Sequence, residues 1–165
     1  MDINGLINDI VKATEPPSPQ RKDWRIGCIG AGFIMRDCHL AAYRNMGFNP
    51  VAITSRSADV SAEVAQLYNI PRVYESNQQL LEDDSLEVID IAIPPHVQLD
   101  VVRQACKRPN IKGILCQKPL AMSLAEAREI VRLSKESGIP IAVNSNIHYD
   151  QSMRALKHIL DRGLL

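Results

Sequence analysis

The apolar positions of this chain follow two rhythms. Near the start, Ile3, Leu6, Ile7, Ile10 and Val11 recur at three- and four-residue steps, which predicts a short amphipathic helix over the first dozen residues. The stretch TEPPSPQRKDW follows, and its three prolines neither propagate a helix nor donate to a ladder, so it reads as an extended linker. Residues 1–23 are thus a helical appendage and linker, expected to dock elsewhere on the domain or on a partner. From Trp24 onward the rhythm changes. Short apolar runs, RIGCIG, PVAITS, VIDIAIP, GILCQ and PIAVNS, with a weaker one near RVYE, alternate with helical patterns over 31–46, 58–68, 76–82, 96–107 and 123–137. Runs without polar alternation predict strands covered on both faces, as a parallel sheet requires. Strand followed by helix, repeated five times, predicts a doubly wound α/β domain over residues 24–147. A last helix, about Asp150 to Asp161, falls within residues 148–165.

The first strand runs straight into Gly30-Ala31-Gly32-Phe33-Ile34-Met35. A glycine at 30 permits the tight turn from strand to helix. One at 32 lets a pyrophosphate approach the backbone where Phe33 and Ile34 open the helix. The third glycine of this dinucleotide-binding pattern serves helix–strand packing, and Met35 stands in its place. The preceding strand, the following helix and a second strand about twenty residues on supply the context the pattern needs. That second strand ends at Ser55-Arg56, where an NAD-selective site carries an acidic residue against the ribose diol. Without a carboxylate to repel a 2′-phosphate, and with an arginine able to pair with it, NADP is the preferred expectation and NAD the other.

Composition narrows the partners. Lys plus Arg is 19 and Asp plus Glu is 19, for zero formal net charge, which argues against a nucleic acid or anionic membrane partner. No run approaches the ~18–20 apolar residues of a membrane span, and the N-terminus lacks the positive flank and apolar core of a secretory signal. A soluble cytoplasmic protein is expected. Cys28, Cys38, Cys106 and Cys116 form no CxxC pair, and no histidine lies at zinc-site spacing, so reduced thiols without metal are expected.

A fourth strand edge carries Gln117-Lys118-Pro119. Open α/β sheets bind ligands beyond the carboxyl ends of their strands, and proline stiffens the loop that presents the lysine. A lysine there can orient a substrate hydroxyl and favour its alkoxide as hydride leaves. The glycine turn, AITSRS, IAIPPHVQ, CQKPLAMSLAEA and IAVNSNIHYDQSMRALKHILDRG, in this order and spacing, resemble the N-terminal half of the Gfo/Idh/MocA oxidoreductases. The resemblance covers Trp24 to Leu165. It implies a Rossmann domain whose E-K-P motif supplies a catalytic lysine, matched by Lys118 and Pro119, and NAD(P)-dependent oxidation or reduction of a sugar, polyol or related carbonyl compound. Ile93, Pro94 and His96, in IAIPPHVQ, are further cofactor-side candidates, as are Gln117 and Lys118, and Asn144 and Asn146 are cofactor or substrate candidates beyond the last strand.

Three positions depart from the family pattern. Gln117 replaces the glutamate of E-K-P, Gln98 fills the usual histidine position two residues after His96, and His148 stands where an arginine is frequent. The family also carries a second α/β domain after the region where this sequence ends. The resemblance therefore makes the last helix a connector and the chain the cofactor half of an enzyme, with homo-oligomers expected of a full-length form. A non-catalytic NAD(P)-binding or partner-interaction module is the alternative, as is redox-neutral sugar chemistry with transient use of the cofactor.

Overall fold

The computed structural model describes residues 2–15 and 19–164. Residues 16–18, at the centre of the expected linker, lie outside that range. The chain forms two compact units, Arg21–Asn144 and a smaller one drawn from Met1–Gln20 and Ser145–Leu165.

The larger unit holds six strands: β1 (Arg25–Ile29), β2 (Asn49–Thr54), β3 (Arg72–Tyr74), β4 (Val88–Ile91), β5 (Gly113–Gln117) and β6 (Ile141–Asn144). Their order is β3-β2-β1-β4-β5-β6, every pairing is parallel, and the fold is Rossmann-type. The order reverses between β1 and β4, so the crevice that receives ligands opens at the carboxyl ends of those two strands. Helix α2 (Leu40–Met46), with the segment before it, and α3 (Ala58–Tyr68) pack on one face. Helices α4 (Asn77–Leu81), α5 (Pro95–Ala105) and α6 (Leu124–Ser137) pack on the other. The first core joins Ile26, Cys28 and Ile53 of the strands to Met35, Leu40 and Val64. The second joins Ile29, Ile89, Ile91 and Ile114 to Leu80, Val102 and Ile130.

Local chemistry sets the helix limits. Ser57, Ser76 and Ser123 each accept a bond from a backbone N–H of the first turn, which places the starts of α3, α4 and α6 one residue beyond these serines. Helix α5 begins at Pro95, whose missing N–H costs nothing at a first helical position. Gly47, Asn69 and Gly138 end α2, α3 and α6 in the left-handed conformation.

Two features differ from the pattern-based expectation. The helix after the glycine turn does not run regularly over 31–46; residues Ile34–His39 are wound as a π-helix before α2 begins. The wide turn is closed by the Leu40 N–H on the Met35 carbonyl, and the Arg36 carbonyl accepts from Tyr68 Oη at 2.6 Å. It directs both Met35 and His39 inward. The expected cover on both faces also fails at the sheet margins: Val73 of β3 and Val143 of β6 are exposed, because an edge strand has a neighbour on one side only.

In the smaller unit, α1 (Ile3–Thr14), capped by Asp2, pairs with α7 (Gln151–Asp161), capped by Asp150. Arg154 donates to the Ala13, Thr14 and Glu15 carbonyls at the α1 C-terminus, each at 3.0 Å. Asp9 faces His158 at 3.0 Å and Arg162. The partner of the N-terminal helix is thus the last helix. No helix among the described residues is long and apolar enough to cross a membrane.

Candidate active site

The turn after β1 tolerates no side chain at its first glycine. Gly30 has φ +109°, and a Cβ there would lie 2.3 Å from the Ala92 carbonyl oxygen after β4. Its N–H donates to the Thr54 carbonyl at 2.8 Å, so the turn is pinned to the ends of both flanking strands. Gly32 is the reverse case: nothing lies within 4 Å of its would-be Cβ. The space over that backbone is open, as the approach of a phosphate demands. Met35 is fully buried beneath the turn in the core with Ile26, Leu40 and Ile53, so it fills the helix–strand contact that a third glycine would leave thin.

A cavity of about 430 Å³ opens over this turn. Gly30 and Gly32 from the first loop, Ser55 and Arg56 from the second, and Ile93, Pro94 and His96 from the third all line it. Phe33 and Ile34 are exposed at the start of the π-wound segment and do not line it. The Ser55 hydroxyl donates to the Ser57 carbonyl at 2.9 Å and lies 2.7 Å from Ser61 Oγ, so it is spent inside its own loop. Arg56 makes no ion pair among the described residues and is the charged group at this wall. Asn146 stands in the smaller unit, exposed at the first position of a short 3₁₀ turn (Asn146–Tyr149).

The lysine loop follows β5. Lys118 is exposed, and the Lys118–Pro119 peptide is cis. The backbone around it is held by Gln98, a fully buried side chain from the first turns of α5. Gln98 Nε2 donates to the carbonyls of Gln117 at 3.1 Å and Leu120 at 2.7 Å, with a longer contact to Pro119 at 3.5 Å. Its Oε1 accepts from the Gln117 N–H at 3.0 Å. An amide, with donor and acceptor at one end, satisfies both sides of a loop in a way an imidazole of one tautomer does not.

A second polar group, whose centre of His39, Asp90 and Tyr43 is absent from the sequence-based candidates, sits where β4, β5 and β6 meet the π-wound segment. Asp90 is fully buried in β4. Its Oδ2 receives Tyr43 Oη at 2.7 Å and His39 Nδ1 at 2.7 Å, while Oδ1 has no partner among the described residues. Burial first, then the adjacent Asp90 charge, pushes the Tyr43 phenol far above its ordinary value, so it remains a donor. His39 Nε2 faces Asn144 Nδ2 at 2.6 Å and Gln117 Nε2 at 3.3 Å. Asn144 therefore points inward from the end of β6. Burial raises both the Cys28 thiol and the Cys116 thiol, the latter to about 12, and keeps them protonated and inert. The sequence did carry a signal for this group. An aspartate inside the apolar run VIDIAI must be buried, and a buried carboxylate demands partners.

Residues 24–145 match the family model of the oxidoreductase family with an NAD-binding Rossmann fold, GFO_IDH_MocA. The chain belongs to the Gfo/Idh/MocA family. Among Gfo/Idh/MocA relatives, it is 30% identical over 143 residues to the trans-1,2-dihydrobenzene-1,2-diol dehydrogenase of Mus musculus, covering 86% of this chain and 42% of that protein. It is 28% identical over 145 residues to the D-apiose dehydrogenase of Paraburkholderia graminis, covering 87% and 38%. Among solved structures, an Agrobacterium radiobacter oxidoreductase in complex with NAD+, L-tartaric acid and magnesium superposes with a TM-score of 0.79 at 27% identity, covering 86% of this chain and 41% of that one. The chain spans about two fifths of the length of these relatives. It is an NAD(P)-binding domain of a family whose relatives include sugar and diol dehydrogenases.

Proposed function

We propose that this chain is the cofactor-binding half of an NADP-preferring oxidoreductase that transfers hydride to or from a sugar, polyol or related carbonyl compound. The observation that carries this reading is the convergence, at one sheet edge, of an open glycine cradle, an arginine wall and a clamped lysine loop. The cradle fits a pyrophosphate: Gly30 leaves the turn tight against Ala92, and Gly32 leaves its backbone bare. Arg56, without an ion pair among the described residues and lining the same cavity, suits a 2′-phosphate, and none of the described residues that line it is a carboxylate to repel one. The relatives' own names, an apiose dehydrogenase and a dihydrodiol dehydrogenase, support a vicinal hydroxyl or sugar carbonyl as the substrate class.

The chemistry of hydride exchange resides in the nicotinamide when it is bound. The protein's part is to place a proton donor or acceptor at the substrate oxygen. Lys118 Nζ serves that role, giving a proton to the oxygen in reduction and holding the alkoxide in oxidation. Gln117, replacing a carboxylate, brings no charge to its neighbour, so the lysine is placed by loop geometry and not by an ion pair.

Titration with NADPH and NADH, followed by nicotinamide fluorescence, tests the cofactor reading, and no signal with either would sink it. Arg56→Ala is expected to weaken NADPH about tenfold, the worth of one charge-assisted contact, with NADH affinity held within about twofold. An unchanged NADPH/NADH ratio would remove Arg56 from phosphate recognition. In an enzyme assay Lys118→Ala is expected to lower kcat by ~10²–10⁴ with NADPH affinity unchanged. Full turnover in that variant would take the lysine out of the mechanism.

A further inference from the structure

The hydrogen bonds around His39 determine one another. Lys118 N–H donates to Gln117 Oε1 at 2.9 Å, so the other end of that amide, Nε2, is the end turned toward His39. Asn144 presents Nδ2 to the same ring nitrogen. Two amide N–H groups thus converge on His39 Nε2, which must be an acceptor and carry no hydrogen. The opposite nitrogen, Nδ1, faces the Asp90 carboxylate, which already receives the Tyr43 hydroxyl and accepts. Nδ1 therefore bears the proton. With the two amides oriented as they stand, each bond agrees with the neutral Nδ1–H tautomer. The ring is almost wholly buried, at 7% exposure, and both its nitrogens face protein partners.

We propose that His39, fixed in this tautomer by Asp90, is a positioning residue of the lysine loop. Its bare Nε2 orients the Gln117 amide, whose oxygen in turn holds the Lys118 backbone N–H. The same nitrogen binds Asn144, and so ties the ends of β5 and β6 to the π-wound segment beside the glycine turn. Gln117 is matched to this arrangement: a carboxylate in its place has no hydrogen to give Nε2 and instead draws a proton onto it. Tyr43, which shares Asp90 with the ring, stays protonated, as do the buried thiols Cys28 and Cys116 of the flanking strands, and none competes for that role. The bearing of this relay on catalysis rests on the reading of Lys118 given above; the tautomer itself does not.

Long-range ¹H–¹⁵N spectra of the ¹⁵N-labelled chain at pH 7.5, without cofactor, test it directly. In the wild type, His39 Nδ1 is expected to read as protonated and Nε2 as bare. In Gln117→Glu, both nitrogens are expected to read as protonated, the ring now lying between two carboxylates. In His39→Ala, loss of the hydrogen bond that seats Gln117 is expected to speed hydrogen exchange at the Lys118 amide about fivefold or more, with the amides of β1 and β2 unchanged. An Nε2–H tautomer or an imidazolium in the wild type overturns the proposal. So does an unaltered ring in Gln117→Glu, or an unaltered Lys118 amide in a folded His39→Ala. Should His39→Ala fail to fold, the ring spectra of the wild type and Gln117→Glu decide alone. Because no cofactor is present, a failure here is distinct from a failure of NADPH binding.

Discussion

Gly30→Ala is expected to cost at least ~3 kcal/mol of folding stability, while Gly32→Ala, two residues away, is expected to cost under ~1 kcal/mol. At position 30 two penalties add. The backbone sits at φ +109°, where an L side chain is strained, and the new methyl would meet the Ala92 carbonyl at 2.3 Å. That carbonyl belongs to backbone following β4, so relief requires moving a strand end and not a side chain. At position 32 the added methyl meets nothing within 4 Å. It enters only the space a pyrophosphate would occupy, so Gly32→Ala is expected to fold normally and lose tenfold or more in NADPH affinity. Thermal unfolding and fluorescence titration of the two variants check the contrast. Equal melting temperatures would refute the account of the turn. Undiminished binding in Gly32→Ala would place the phosphates elsewhere.

Gln98→Leu carries the second large expected effect, a loss of ~2–4 kcal/mol. The substitution conserves volume, so little of the change comes from packing. What it removes is the hydrogen-bond set with the backbone of residues 117–120, made from a side chain with no exposed surface. The Gln117 N–H and the Leu120 carbonyl would be left to find water at a half-buried position. A melting temperature lower by about 10 °C corresponds to the middle of this range for a domain of this size. Faster exchange at the Gln117 amide should accompany it. A drop under ~1 kcal/mol would show that the loop holds itself and that Gln98 merely occupies space.

The strands, the glycine turn and the lysine at the end of β5 were legible because each is written in neighbouring residues. An apolar run, two glycines after it and a proline after a lysine are local statements, and the parallel sheet assembled from them as expected. Met35 was legible in kind, as a packing residue, because the third position of the turn faces the core in any helix that starts there. What the sequence withheld was partnership across long separations. His39 and Asp90 are 51 residues apart, and His39 and Asn144 are 105 apart. Nothing local to the histidine announces either contact. The role of Gln98 was hidden for a different reason: read against the family pattern it was a missing histidine, and only its burial against the 117–120 backbone shows what the amide does. The π-wound segment at Ile34–His39 escaped because its apolar spacing is also that of an α-helix. The exposed Val73 and Val143 escaped because composition cannot say which strands lie at a sheet's margin.

The Gln98 clamp also has a mechanical consequence. Pro94, just before α5, and His96 and Val97 of its first turn line the cavity over the glycine turn, and the next residue along grips the lysine loop. A single helical turn is too stiff to yield on one side without moving on the other. The cavity wall and the lysine loop thus share one helical turn, and any coupling between what occupies them is reciprocal. A displacement at the cavity wall is expected to reach the backbone that carries Lys118.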